Sequence, residues 1–258
     1  MKVVALVPAA GRGVRLGAGT PKALVPVSGE SLLVRAVRGL LESGSVHHVV
    51  VAAPPDQVDV VQRELAVLGA VASWRPDSGF GANVPESPAE VSDPASPVGV
   101  VAGGADRTES VRLALAAAER AVPDVRAVLV HDAARAFTPV PVIREVADAV
   151  RGGASAVVPV LPVSDTIKQV DADEVVSATV DRSRLRSVQT PQGFEIDVLR
   201  AAYAAADDSA TDDAGLVERI GGVVRTVAGH PHALKITTAF DLAIAESVLA
   251  AEPIGDPR

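Results

Sequence analysis

The chain has 258 residues, of which 48% are hydrophobic and 22% charged, and its formal net charge is −8. That length suits one ordinary domain with a sizeable core, and an acidic chain repels phosphate, which makes it a poor candidate for a generic binder of nucleic acid or of an anionic membrane and requires a local cluster of cations and amides for any phosphate it holds. Cysteine is absent, so disulfides, zinc–thiolate sites and thiol catalysis are excluded, and 2% aromatic residues leave little for base stacking.

Met1–Pro8 is too short an apolar run for a signal peptide, and no run approaches the roughly 20 residues of a membrane span. A soluble, cytoplasmic protein is the expectation. Val3–Val7 reads as the first strand, nearly continuous in apolar residues, as a strand buried on both faces should be. Ser31–Ser43 repeats Leu32, Leu33, Ala36, Val37, Leu40 and Leu41 at helical spacing. Strands follow at Val46–Ala53 and Val98–Ala102, with a weaker strand signal at Ala70–Trp74. Between the last two, Asp77–Pro97 is rich in Pro, Gly and acids and lacks Lys and Arg, which predicts a surface insertion.

Asp106 and Glu109 form a capping-box pattern opening a helix over Asp106–Ala121. A strand at Val125–Val130 is followed by Thr138-Pro139, which opens a helix with Pro at its first position. Ala154–Val160 and Val223–Val227 read as further strands, and Thr238 with Asp241 opens the last helix. Within 163–192, Thr166–Val170 and Val175–Val180 flank the turn Asp171-Ala172-Asp173-Glu174. Such a hairpin does not fit inside a parallel sheet and predicts a projecting arm. The alternation of strands and helices elsewhere implies an α/β fold: a mostly parallel sheet with helices on both faces. Ligands of such sheets sit at the carboxyl ends of the strands.

Three strand ends carry chemistry. The first leads into Pro8-Ala9-Ala10-Gly11-Arg12-Gly13-Val14-Arg15, then Lys22. Small residues let the backbone wrap a ligand and form an anion nest, and the three cations Arg12, Arg15 and Lys22 stand beside it. It matches neither a P-loop nor a dinucleotide fingerprint, and an ordinary turn with solvated cations is the alternative. The second, Gly103-Gly104-Ala105-Asp106, offers bare amides at a helix start. The third, His131-Asp132-Ala133-Ala134-Arg135, places an acid where it can hold a metal or hydroxyls, or else closes its loop as an Asp132–Arg135 ion pair. Thr211-Asp212-Asp213 reads as a helix start whose acids suit the dipole. His47 and His48, adjacent in a strand, cannot share a metal.

The ordered set PAAGRGVRLG, PKA, GGADRTESV, VHDAAR, DTIK, DR, QTPQ and LKIT closely resembles the 2-C-methyl-D-erythritol 4-phosphate cytidylyltransferase family, from Val3 to about Leu249. PAAG alone indicates only the wider nucleotidyltransferases, whereas VHDAAR with QTPQ is far more specific. The resemblance implies a Rossmann-like nucleotidyltransferase domain over 1–258, with an insertion at 77–97 and a dimerisation arm at 163–192. It implies CMP transfer from CTP to a polyol phosphate in non-mevalonate isoprenoid biosynthesis, with release of pyrophosphate. Arg15 and Lys22 would be catalytic, and Pro8, Ala9, Ala10, Gly11, Gly13, Gly104 and Ser110 would hold CTP. Asp132, Arg135, Thr166, Arg182, Thr190 and Lys235 would hold the acceptor, with Thr166 and Arg182 entering a neighbouring subunit's site. Mg²⁺ would be held mainly by the CTP phosphates, with Asp132 a candidate ligand. Two positions depart from the family pattern. Ala105 removes a side-chain contact to the base that some relatives make, and Ala136 replaces a common Pro. Ribitol 5-phosphate as acceptor, and a non-catalytic nucleotide binder, are the rival readings.

Overall fold

The computed structural model describes residues 1–11, 21–69, 71–74, 96–206 and 212–251. The expected insertion at 77–97 lies almost wholly outside them, as do Arg12, Gly13 and Arg15.

The elements follow in order: β1 (Lys2–Pro8), β2 (Pro26–Val27), β3 (Glu30–Ser31), α1 (Leu32–Glu42), β4 (His48–Ala53), α2 (Val58–Leu65), β5 (Val71–Trp74), β6 (Val98–Ala102), α3 (Arg107–Ala121), β7 (Val125–Val130), α4 (Val140–Arg151), β8 (Ala156–Pro162), β9 (Ile167–Val170), β10 (Val176–Val180), β11 (Arg186–Val188), β12 (Gln192–Glu195), α5 (Ile196–Ala204), α6 (Asp213–Arg219), β13 (Val224–Ala228) and α7 (Ala239–Ala251). The main sheet runs β11-β8-β12-β7-β1-β4-β6-β5, with β13 added parallel to β8. It is mostly parallel, as expected, and β11 and β12 are antiparallel intrusions.

β1 shows why its sequence makes a central strand. Val3 to Val7 are all fully buried, and alternate residues feed opposite cores. Val3, Ala5 and Val7 pack with Leu33, Val37 and Leu40 of α1 and with Ile143 and Val146 of α4. Val4 and Leu6 pack with Val111 and Leu115 of α3 and with Leu199 of α5. A strand covered on both faces carries no polar positions to alternate with.

Capping residues set the helix starts. Ser31 accepts from the Val34 amide to open α1, and Gly44, at φ +66, ends it in the left-handed conformation that glycine adopts without strain. Asp106 accepts from the Glu109 amide at 2.7 Å. Glu109 reaches back one residue further than a capping box does, to the Ala105 amide at 2.6 Å. At α7, Thr238 and Asp241 exchange both bonds, at 2.8 and 3.2 Å. Pro139 is the cap of α4 rather than its first helical residue, and it is Pro141 that lies in the first turn.

β9 and β10 pair antiparallel in a separate two-stranded sheet. The turn between them holds Glu174 at φ +61, and the Asp171 carboxylate accepts from the Asp173 and Val175 amides. The projecting part is shorter than 163–192, because β11 and β12 return to the main sheet against β8. Between them the chain leaves the ladder at Gln189-Thr190-Pro191, where Pro191 has no amide to contribute.

Candidate active site

The carboxyl ends of β1, β6 and β7 lie at one rim of the sheet, and each is fixed by short hydrogen bonds. The Ala9 amide donates to the Ala52 carbonyl at 2.8 Å, and that of Gly103 to Ala53 at 2.7 Å. The two glycine-rich ends touch. A Cβ on Gly103 would stand 2.6 Å from the Ala10 Cβ, so only glycine allows this approach. Pro8, Ala9, Ala10 and Gly11 therefore line one side of the rim and Gly104 the other. Ser110 is buried beneath it, where its hydroxyl accepts from the Gly104 amide at 3.1 Å and donates to the Asp106 carbonyl at 2.7 Å. These two bonds tie the glycine loop to the start of α3. Lys22 opens a short 3-10 turn, Lys22–Leu24, that packs against the turn Ala133–Arg135 beyond β7. That packing brings the Lys22 turn next to the Asp132 loop.

Asp132 is the centre of the third strand end. Lys235 Nζ lies 2.7 Å from its Oδ2 and Arg107 Nη2 lies 3.7 Å from its Oδ1. Burial raises the Asp132 pKa, but Lys235 and then Arg107 outweigh it, and the carboxyl is held below its usual range. Lys235 is delivered by its own backbone: the Ile236 amide donates to the Ala134 carbonyl at 2.8 Å.

The alternative in which Asp132 pairs with Arg135 to close the loop does not hold: Asp132 pairs with Lys235 and Arg107. The Arg135 guanidinium donates instead to the Ala233 carbonyl at 2.6 Å and to that of Val188 at 3.1 Å. It braces the two segments flanking Asp132, while Asp132 turns to cations from other parts of the chain.

Each polar member of the Gln189-Thr190-Pro191-Gln192 run holds a different wall. Gln189 clamps the loop before Lys235, donating to the His230 carbonyl at 2.9 Å and accepting from its amide at 3.0 Å. The Thr190 hydroxyl accepts from the Asp132 amide at 3.1 Å and pairs with His131 Nδ1 at 3.0 Å. Gln192 donates to the Asp212 carboxylate at 2.8 Å and accepts from the Ala214 amide at 2.9 Å, which secures the start of α6. Thr190 is buried, so it orients Asp132 from behind. Burial drives the His131 pKa down to about 4, which keeps the ring neutral under Asp132.

Asp212 and Asp213 do open a helix, as expected, but neither the burial of Asp213 nor its partners were foreseen. Asp212 is the cap of α6, and Asp213 is wholly buried, bonded to both Arg107 nitrogens at 2.9 and 2.6 Å and to the Tyr203 hydroxyl. One signal was available: Tyr203 is the chain's single tyrosine, and a buried phenol requires a partner. Thr166 and Arg182 are exposed at the two ends of the arm. Among the described residues, neither side chain makes a hydrogen bond to the rim. The described residues contain no cluster of three His, Asp or Glu side chains fit to hold a metal.

A mostly parallel sheet whose rim gathers a small-residue loop, the Gly103-Gly104 pair and a carboxylate bracketed by cations fits a nucleotidyltransferase, the class the resemblance implies, with its ligands at the carboxyl ends of the strands. The family model for 2-C-methyl-D-erythritol 4-phosphate cytidylyltransferase matches residues 3–251. A protein of that name from Saccharopolyspora erythraea is 70% identical over 250 residues, covering 97% of this chain and 100% of its own. One from Nocardia farcinica is 52% identical over 247 residues, covering 96% and 94%. The crystal structure of the Thermus thermophilus enzyme superposes with a TM-score of 0.69 at 34% identity, covering 97% of this chain and 100% of that one. This chain belongs to the 2-C-methyl-D-erythritol 4-phosphate cytidylyltransferase family.

Proposed function

We propose that this chain transfers CMP from CTP to 2-C-methyl-D-erythritol 4-phosphate. The products are 4-diphosphocytidyl-2-C-methyl-D-erythritol and pyrophosphate, in non-mevalonate isoprenoid precursor biosynthesis. Family membership makes it a cytidylyltransferase. The observation that carries the rest is the ionised Asp132 bracketed by Lys235 and Arg107, next to the small-residue ends of β1 and β6.

In this reading an acceptor phosphate oxygen attacks the α-phosphorus of CTP in line, and pyrophosphate leaves. The nucleophile is already an anion, so no strong general base is required. What the step needs is charge neutralisation and alignment. Arg15 and Lys22 neutralise the triphosphate as the pyrophosphate's charge develops. The small-residue ends Ala9–Gly11 and Gly103–Gly104, where no large side chain stands between a ligand and the backbone, take the nucleotide. Asp132 receives acceptor hydroxyls, and Lys235, with the exposed fraction of Arg135, faces its phosphate. Thr190 holds Asp132 in place.

A magnesium ion held mainly by the CTP phosphates belongs to the same proposal, with the Asp132 carboxylate its candidate protein ligand, since Mg²⁺ is commonly bound through one or two carboxylates and substrate phosphates. When bound, it would add positive charge to the phosphates in a chain of net charge −8.

A homodimer through the arm belongs to the same proposal. Val170, Val175 and Val176 are exposed apolar residues on the β9–β10 hairpin, and Thr166 and Arg182 stand exposed near its two ends. Among the described residues no helix is long and apolar enough to cross a membrane. A cytoplasmic location, where CTP is made, completes the proposal.

The test is pyrophosphate release from CTP with either acceptor supplied alone. Turnover with methylerythritol phosphate well above that with ribitol 5-phosphate is the expected result. The reverse order overturns the acceptor assignment, and CTP binding without turnover on either overturns the reaction.

A further inference from the structure

Asp213 and Tyr203 have no part in the roles given above to CTP or to the acceptor, and Arg107 enters them only as a charge beside Asp132. Asp213 is wholly buried, yet it binds both forks of Arg107 at 2.9 and 2.6 Å and accepts from the Tyr203 hydroxyl. A buried ion pair does little for stability that apolar side chains of equal volume would not do as well. The pair also joins residues 106 positions apart in the chain, from α3 and α6. The far side of Arg107 is open: its side chain is 37% exposed and its Nη2 stands 3.7 Å from Asp132 Oδ1. That distance is too long for a hydrogen bond, but it is close enough for one charge to orient the other. Lys235 holds the other oxygen, Oδ2, at 2.7 Å. The two cations differ in kind. Lys235 is a point charge on a flexible stem, whereas the Arg107 fork is planar and locked in direction by its two bonds to Asp213.

We propose that Arg107, locked by Asp213 and Tyr203, is a positioning residue for the acceptor: it fixes the direction of Asp132 Oδ1, the oxygen that meets a hydroxyl of the polyol phosphate. The start of α6 and the acceptor carboxylate thereby form one rigid unit, held at its other edge by Gln192. This rests on the proposed role of Asp132.

The test is steady-state pyrophosphate release, varying acceptor at saturating CTP and then CTP at saturating acceptor. Arg107→Lys, which keeps the charge and loses the fork, and Asp213→Asn, which keeps the shape and loses the charge, are each expected to raise the acceptor KM about tenfold or more, with the CTP KM within about twofold. The double variant is expected to be no worse than the worse single, because both break one unit. An equal rise in the CTP KM overturns the proposal in favour of a triphosphate contact. Unchanged KM values with a lowered Tm overturn it in favour of a purely structural pair. If either variant fails to fold, Tyr203→Phe, which spares the ion pair, is expected to raise the acceptor KM by a smaller factor, and an unchanged value contradicts the proposal. Asp132→Asn separates the two levels. If it leaves the acceptor KM unchanged, the role of Asp132 falls and this inference with it. If it raises that KM while Arg107→Lys does not, this inference alone fails.

Discussion

The rim at the ends of β1, β6 and β7 and the arm of β9 and β10 are built by opposite means. At the rim, Asp132, His131, Thr190, Gln192 and Asp213 are each buried or nearly so and each is tied to partners from other elements. On the arm, residues 168–179 are all exposed, and their bonds are local, such as Lys168 Nζ to the Thr179 hydroxyl at 2.6 Å. A polar group that must keep one position is placed inside, where losing its partner costs the full desolvation penalty. A surface left apolar and outside the fold, as at Val175 and Val176, is suited to packing on another chain.

The comparison breaks first at Asp213. Asp213→Ala removes the close counter-ion of Arg107, leaving Asp132 at 3.7 Å, and also strips the buried Tyr203 hydroxyl of its acceptor, and is expected to cost about 2 kcal/mol in a urea titration. A loss within experimental error would mean that the rim is not held from within. Arg15→Ala or Lys22→Ala is expected to lower kcat at least about a hundredfold, on the order of 3 kcal/mol, with the circular dichroism spectrum unchanged. Near-normal turnover in either would remove its assigned role.

His131 sharpens the contrast through pH. Its folded pKa, about 4, lies below the unfolded value of 6.5, so the unfolded state binds the proton first as pH falls. Stability is therefore full above about pH 6.5 and declines toward pH 4, by about 3 kcal/mol in all. Asp132, whose carboxyl is also held low, adds a further loss only below its unfolded value of 3.8. Urea midpoints at pH 7 and pH 4.5 check this, and His131→Asn is expected to flatten the slope. A smaller effect is expected at the last helix. Asp241→Ala removes one side of a reciprocal cap and is expected to cost about 1 kcal/mol of thermal stability. The smallest effect on the fold is expected on the arm. Val176→Lys is expected to change monomer stability by no more than about 0.5 kcal/mol while shifting sedimentation from dimer to monomer. An unchanged sedimentation profile would count against the arm as the interface.

What could be read from the sequence divides along the same line. The strands were legible because burial on both faces leaves an unbroken apolar run, and the helix starts because caps act over three or four residues. The partners of Arg135 were not legible, because they are the carbonyls of Val188 and Ala233, which no local spacing announces. Asp213 was legible as part of a helix start, but its burial was not, because its partner Arg107 lies 106 positions away in the chain. The glutamines of the Gln189–Gln192 run were visible as a motif, but the walls they hold become neighbours only when the sheet forms. The return of β11 and β12 to the sheet was hidden because their register is set by β8 rather than by their own pattern.

The central claim is that the acceptor attacks the α-phosphorus of CTP at this rim. It is tested most directly by following the label from CTP marked at either the α- or the γ-phosphorus, with methylerythritol phosphate as acceptor. The account predicts α-label in a diphosphate-linked cytidine product and γ-label in pyrophosphate. Transfer of γ-label to the acceptor, or α-label recovered only in free CMP, would contradict it.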